Sequence, residues 1–206
     1  TTDSTTVRLT SEPTSTVTIA LVASDPTECT VPTEVILDGS NWQSGESITV
    51  TAADDMVVDG IQPCTIQTSA ISSDTTYSGI AVADLSVSVS DDDKAGVLVV
   101  PTASSLSEPD TTAIFNISLS SLPTDSVDIN LTSSDITEGT VPANVTLDSS
   151  NWQDGENITV SAVDDDLIDG SQSCSVSFSV VSSDPSYDGL PRSPIIISVA
   201  DDDTPN

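Results

Sequence analysis

The sequence predicts an all-β chain made of two β-sandwiches in tandem, and three observations predict it. The first is a repeat. Shifted by 110 positions, the second half falls on the first without a gap: Asn41-Trp42-Gln43 meets Asn151-Trp152-Gln153, Asp59-Gly60 meets Asp169-Gly170, and Tyr77 meets Tyr187. A period of this length is one domain long, so the chain is an array and not one fold with two lobes. The second is alternation with a period of two, the mark of a strand with one buried and one wet face. The third is turn chemistry: Pro123, Gly139, Asp154-Gly155, Asp169-Gly170 and Asp188-Gly189 punctuate the alternating segments.

The second repeat, residues 97–206, carries seven predicted strands. The apolar run Val97–Val100 opens the first, near 97–102. Phe115, Ile117 and Leu119 alternate with Asn116 and Ser118 in the second, near 113–119. Val127, Ile129 and Leu131 alternate with Asp128 and Asn130 in the third, near 126–132. A short fourth lies near 144–147 and a fifth near 157–162, after Asp154-Gly155. Cys174, Val176, Phe178 and Val180 alternate with Ser175, Ser177 and Ser179 in the sixth, near 174–181. The seventh, near 194–200, holds Ile195–Ile197. Seven short strands at this spacing read as an immunoglobulin-like Greek-key sandwich. Trp42, Trp152, Tyr77 and Tyr187 read as packing residues, the tyrosines in the turn before the last strand.

The first repeat, residues 1–96, has no counterpart of its first strand, because Thr1 aligns with Thr111 and nothing aligns with residues 97–110. The Ser11-Glu12-Pro13 triplet imitates Ser107-Glu108-Pro109 but aligns with Ser121-Leu122-Pro123. Three readings stand: a window cut from a longer array, a strand donated by a neighbouring subunit through β-augmentation, or a truncated sandwich stable as it is. The lack of a starting Met or signal peptide reads as a mature or excised piece.

Composition narrows the partners. The 206 residues hold 33 Asp and Glu, 3 Lys and Arg and no His, for a net charge of −30. Such a chain is repelled by nucleic acid and by anionic membrane surfaces, and it attracts cations. No apolar run is long enough to span a membrane. Catalysis is not expected. Without His, no pair activates a nucleophile, and the acids gather at a pole between domains, not in an aromatic-lined cleft suited to sugar hydrolysis.

The acids cluster by topology. In such a sandwich the turns after the first, third and fifth strands and the end of the seventh lie at one pole. In the second repeat these segments carry Glu108, Asp135, Asp164, Asp165 and Asp169, then Asp201, Asp202 and Asp203. In the first they carry Asp25, Asp54, Asp55 and Asp59, then Asp91, Asp92 and Asp93. Ca²⁺ takes six to eight oxygens, and carboxylates converging from separate loops supply them without His or Cys. The bland reading is a solvated acidic rim.

The segments Ser133–Pro142, Asn-Trp-Gln, Ala162–Gly170 and the terminal Asp run, with the Ser-Glu-Pro opening, resemble Calx-beta domains. That family occurs in sodium–calcium exchangers, in an integrin subunit and in long bacterial surface arrays. The resemblance covers nearly the whole chain. It implies Ca²⁺ held by Glu108, Asp164, Asp165, Asp169 and Asp201–Asp203. Leu167, Ile168 and Ser171 stand where exchanger sensors have glutamates, so the chain looks more like the surface arrays.

Three cysteines remain. Cys64 and Cys174 share a repeat position, and Gly139 stands opposite Cys29. The end of the third strand meets the start of the sixth, which predicts a Cys29–Cys64 disulfide and an oxidising, extracellular compartment. Cys174 is then buried or paired between chains. Sequons at Asn116, Asn130, Asn144 and Asn157 lie in the outward phase of their strands as candidate glycan sites.

The expected function is a structural module of an extracellular fibre, filament or adhesin stalk. Ca²⁺ would stiffen it at acidic poles between repeats, where Asp91–Asp93 precede Lys94, whose charge could replace part of the ion's. Neighbouring repeats or copies of the same chain are the expected partners. The alternative is a Ca²⁺-sensing or ligand-binding module.

Overall fold

The computed structural model describes residues 1–108 and 111–205, and every regular element among them is a β-strand. The chain divides into two compact units: Thr1–Asp55 with Asp59–Asp92, and Met56–Val58 with Asp93 onward.

The first unit holds β1 (Thr2–Val7), β2 (Val17–Ala23), β3 (Cys29–Thr30), β4 (Glu34–Leu37), β5 (Glu46–Ala52), β6 (Gln62–Ser72) and β7 (Leu85–Val89). They form two sheets, ordered β1-β5-β3 and β4-β2-β6-β7. The second unit holds β8 (Val97–Pro101), β9 (Ser105–Ser107), β10 (Thr112–Leu119), β11 (Val127–Ser133), β12 (Gly139–Thr140), β13 (Asn144–Leu147), β14 (Glu156–Ala162), β15 (Gln172–Ser182) and β16 (Ile195–Ala200). Its sheets run β12-β14-β10-β8 and β13-β11-β15-β16-β9. Among the described residues, every pairing between these strands is antiparallel except that of β16 with β9. The chain is therefore a tandem of immunoglobulin-like sandwiches.

Alternation builds each core. Ala113, Phe115, Ile117 and Leu119 of β10 face Cys174, Val176 and Val180 of β15 within one cluster, with Val127, Ile129, Ile197 and Val199. The first unit repeats the pattern with Val17, Ile19, Leu21, Cys64, Ile66 and Ala70. Burying each Val, Ile or Leu side chain favours the fold by about 1.5–3 kcal/mol, so aliphatic residues suffice where aromatics are 3% of the chain. At Gly155 φ is 72°, and a Cβ there would collide with the Ile117 carbonyl oxygen. Only glycine fits there.

Two features depart from the expected strands. The strand predicted near 97–102 is found as β8, and a further strand, β9, follows it. β8 pairs with β10, and after Thr102–Ser104 the chain crosses to the opposite sheet, where β9 lies parallel to β16. Val97 and Leu106 both enter the core, 8% and 6% exposed, so one edge segment closes both sheets. The two-residue strands β3 and β12 are the other departure; they are too short to show alternation. Their presence changes the reason for the disulfide. Cys29 and Cys64 are bonded, but Cys29 lies on β3 beside β5 while Cys64 lies on β6. The bridge therefore staples one sheet to the other and does not join neighbours within a sheet. Cys174 is buried and free, and burial pushes its thiol pKa up, as for a small apolar side chain.

The tyrosines pack and also bond. Tyr187 is fully buried, and its hydroxyl donates to the Ser121 carbonyl (2.7 Å) while accepting the Ser121 N–H (3.2 Å). Tyr77 does the same to Ser11. Each ties the turn before the last strand to the turn after β10 or β1. Trp42 and Trp152 are partly buried against their cores.

Candidate metal centre

In the second unit, four segments bring acids to one end. β9 runs directly into Glu108. The turn before β12 holds Asp135 and Glu138, the β14–β15 loop holds Asp164, Asp165 and Asp169, and the chain after β16 holds Asp201–Asp203. Backbone hydrogen bonds set the loops. Asp201 accepts the Gly170 N–H (2.8 Å) on one oxygen and the Asp203 N–H (2.7 Å) on the other, clasping the β14–β15 loop to the end of β16. These bonds hold its carboxyl below the usual range. Asp165 accepts the Leu167 N–H at 2.7 Å. Asp135 accepts both the N–H (3.0 Å) and the hydroxyl (2.6 Å) of Thr137, which lowers its pKa.

Carboxylate oxygens of Glu108, Asp165 and Asp203 lie within 4.8 Å of one another, as do those of Glu108, Asp164 and Asp202. Glu108 belongs to both sets. It is 6% exposed, and its Oε2 has no hydrogen-bond partner among the described residues; the Asp203 Oδ2 is likewise buried and unpartnered. Burial first, then the charges of Asp165, Glu138, Asp201 and Asp169, push the Glu108 pKa up. Burial and the charges of Asp201, Asp202, Asp166 and Asp165 do the same to Asp203. A buried carboxylate beside others is costly unless a cation neutralises it. The donor set is all oxygen, which suits Ca²⁺.

The first unit offers a thinner version. Glu28, Asp55 and Asp59 form its set, with Glu28 half-buried and both aspartates exposed. Asp91 repeats the Asp201 clasp, accepting the Asp59 N–H (3.0 Å) and the Gly60 N–H (2.9 Å). Asp25 accepts the N–H and hydroxyl of Thr27. Asp25, Asp54, Asp91, Asp92 and Asp93 fall outside this set, and Asp135, Asp169 and Asp201 fall outside the two sets of the second unit.

The acids at this end include two that the sequence reading does not single out. Glu28 and Glu138 occupy one repeat position, directly before β3 and β12. Burial and then the neighbouring aspartates push both pKa values up. Glu138 is 7% exposed. The available signal was an acid kept at the same place in both repeats. The sequons form two cross-strand pairs, Asn116 opposite Asn157 and Asn130 opposite Asn144. Three of these are exposed, while Asn116 is half-buried and its Nδ2 donates to the Asp154 carbonyl at 3.1 Å.

No family model matches the chain, and no curated protein matches it. Among solved structures, the calcium binding domain CBD12 of CALX1.1 is similar at 13% identity and a TM-score of 0.36, over 86% of this chain and 72% of that one. Domains 4 and 5 of the S-layer protein SbsC are similar at 11% identity and a TM-score of 0.35, over 89% and 70%. WR4, a C. elegans MSP family member, is similar at 10% identity and a TM-score of 0.32, over 50% of this chain and 96% of its own.

Proposed function

We propose that this chain is a structural tandem-repeat module of an extracellular fibre, filament or adhesin stalk, and that Ca²⁺ bound at the acidic pole of each repeat stiffens it. The carrying observation is Glu108: a buried carboxylate with an unpartnered oxygen, grouped with Asp165 and Asp203 and with Asp164 and Asp202. With 33 acids and 3 basic side chains, the chain has too few cations of its own to neutralise such a pole. Glu108, Asp164, Asp165, Asp202 and Asp203 would hold the ion in the second repeat, with Glu28, Asp55 and Asp59 its weaker counterpart in the first. When bound, Ca²⁺ supplies positive charge where five carboxylates converge.

The residues of the chain do the rest. Asp201 and Asp91 tie the loop before β15 and β6 to the chain that follows β16 and β7. In sequence, Asp91–Asp93 join one repeat to the next, so neutralising that run would remove repulsion along the junction and limit its bending. The Cys29–Cys64 bond supports an oxidising compartment, and among the described residues no helix is long and apolar enough to cross a membrane. The exposed sequons at Asn130, Asn144 and Asn157 extend the reading to a glycan coat over the second repeat. Neighbouring repeats or further copies are the proposed partners.

The deciding experiment is thermal melting in Ca²⁺, in Mg²⁺ and in chelator at matched ionic strength. A Ca²⁺-specific rise in Tm supports the reading. An equal effect of Mg²⁺, or none, leaves the acids as a solvated rim and overturns it.

A further inference from the structure

We propose that each cross-strand pair of sequons in the second unit carries one N-linked glycan, at Asn157 on β14 and at Asn144 on β13, while Asn116 on β10 and Asn130 on β11 stay bare. The glycan coat proposed above, on which this rests, narrows to two sites, one on each sheet of the sandwich.

The four asparagines are not equivalent in their sheets. Asn116 pairs with Asn157 on one side and with Val100 on the other. Asn130 pairs with Asn144 on one side and with Ser179 on the other. Both are flanked. Among the described residues, Asn157 and Asn144 have a strand on one side only: β14 meets β12 at Ser161 and Ala162, away from Asn157, and β13 pairs with β11 alone. Side chains directly opposite each other across an antiparallel pair have Cβ atoms about 4.5–5.5 Å apart. The first sugar on one member therefore stands over the other. An outer member can swing its sugar away from the sheet, and an inner member cannot.

Hydrogen bonds impose the same order on the first pair. The Asn116 Nδ2 donates to the Asp154 carbonyl (3.1 Å) and to the Asn157 Oδ1 (3.3 Å). Its Oδ1 lies against the next turn residue, where a Cβ built on Gly155 would stand 2.9 Å from it. The side chain is half-buried. A glycan replaces one of the two Nδ2 hydrogens, so on Asn116 it would break one of these bonds and need the space of the acceptor. Asn157 is exposed and turns its Oδ1 to Asn116, which leaves its Nδ2 facing away. A glycan on that nitrogen keeps the Oδ1 as acceptor. Asn116 is thus a positioning residue for the Asn157 amide.

In the transfer, the Asn Nδ2 attacks the anomeric carbon of an oligosaccharide activated as a lipid phosphate ester. The N–C bond forms, the bond from that carbon to the phosphate oxygen breaks, the lipid phosphate leaves, and one Nδ2 proton passes to a base of the transferase. For sequons within strands this precedes closure of the sheet, because a paired strand is no longer a free extended acceptor. The pattern on the folded protein then records which glycosylated chains can still close. The first repeat takes no part, since Thr6, Ala20, Glu34 and Ser47 stand at the four corresponding positions.

The test is secretion of the whole 206-residue chain from a eukaryotic cell line that N-glycosylates, with intact-mass and glycopeptide mass spectrometry of the folded fraction. Enzymatic release in heavy-oxygen water marks each occupied Asn as a labelled Asp. The expected result is the mass of two glycans, with label at Asn157 and Asn144 alone. Two variants separate crowding from hydrogen bonding. Thr146→Ala removes the Asn144 sequon and should move that glycan to Asn130, which crowding alone keeps bare. Thr159→Ala removes the Asn157 sequon and should leave one glycan, with Asn116 still bare. Label at Asn116 in the folded fraction, label at Asn130 in preference to Asn144, or two glycans on either pair of one molecule overturns the proposal while the coat stands. No label at any sequon overturns both.

Discussion

A Cβ built on Gly139 would stand 2.7 Å from the sulfur of Cys174. The same two positions in the first repeat are Cys29 and Cys64, which are disulfide-bonded. The second sandwich thus keeps half of an inter-sheet staple, with a glycine making room for the thiol left behind. Gly139→Cys should close the missing bond. A bridge spanning 35 residues adds about 3–4 kcal/mol in the chain-entropy model. The expected result is no free thiol in the denatured, unreduced protein and a rise in the second unit's Tm that dithiothreitol abolishes. Gly139→Ala brings the carbon without the bond and should lower the Tm instead.

Tyr187 and Tyr77 make the same hydroxyl contacts in different surroundings. Tyr187 and its partner Ser121 are both fully buried. Ser11, the partner of Tyr77, is exposed. Removing the Tyr187 hydroxyl leaves the N–H and C=O of Ser121 without a partner away from water, which costs about 1–3 kcal/mol. Water can reach Ser11 and replace the hydroxyl of Tyr77. In urea unfolding, Tyr187→Phe should therefore destabilise its unit more than Tyr77→Phe destabilises the other. Equal losses would mean that the ring packing, not the hydroxyl, sets the stability of this corner.

Asp74 gives the fold an acid-sensitive anchor. Its carboxylate accepts the Thr14 N–H (2.8 Å) and hydroxyl (2.9 Å) and the Thr76 N–H (2.9 Å). These bonds favour the charged form and hold its pKa at about 2, below the ordinary 3.8. For an acid whose pKa is lowered by folding, the stabilisation is fully present above the unfolded value and is lost as pH falls through the folded one. Asp184 behaves alike: burial pushes its pKa up, but the N–H groups of Thr124 and Ser186 outweigh burial and lower it. The difference in Tm between the parent and Asp74→Asn should be largest near pH 6, begin to shrink below about pH 4 and vanish near pH 2. A pH-independent difference would assign the loss to packing.

Much of this architecture was legible because alternation is a local signal. β10, β11 and β15 announce themselves through Phe115, Ile129 and Val176, each flanked by polar neighbours or an outward-facing side chain. What escaped is what alternation cannot encode. The crossing from β8 to β9 depends on which sheet each segment meets, and a two-residue strand such as β12 has no period. The gathering of acids at one end was visible from the order of the loops. The division of labour among them was not. Asp201 and Asp135 look like ligands in sequence, and the structure adds that their oxygens accept nearby N–H groups. Glu138 looks like an ordinary turn residue, yet it is buried beside Glu108, whose pKa its charge helps to raise.

The two repeats should answer unequally to loss of a carboxylate. Glu108 is buried, carries an unpartnered oxygen and belongs to both acidic sets of its unit. Glu28, in the first unit, is half-buried and groups with two exposed aspartates. Glu108→Gln removes a buried charge from a repulsive cluster, so in chelator it should leave the Tm of the second unit unchanged or raised. In Ca²⁺ the same variant should lose most of the ion-dependent gain, because both sets lose a shared oxygen that carries charge. Glu28→Gln should change the first unit less in either condition, since water already screens its neighbours. Melting both variants with and without Ca²⁺ gives a two-by-two comparison. If Glu108→Gln lowers the Tm in chelator and leaves the Ca²⁺ increment intact, then Glu108 is a structural residue of the edge segment, and the ion, if bound, is held elsewhere.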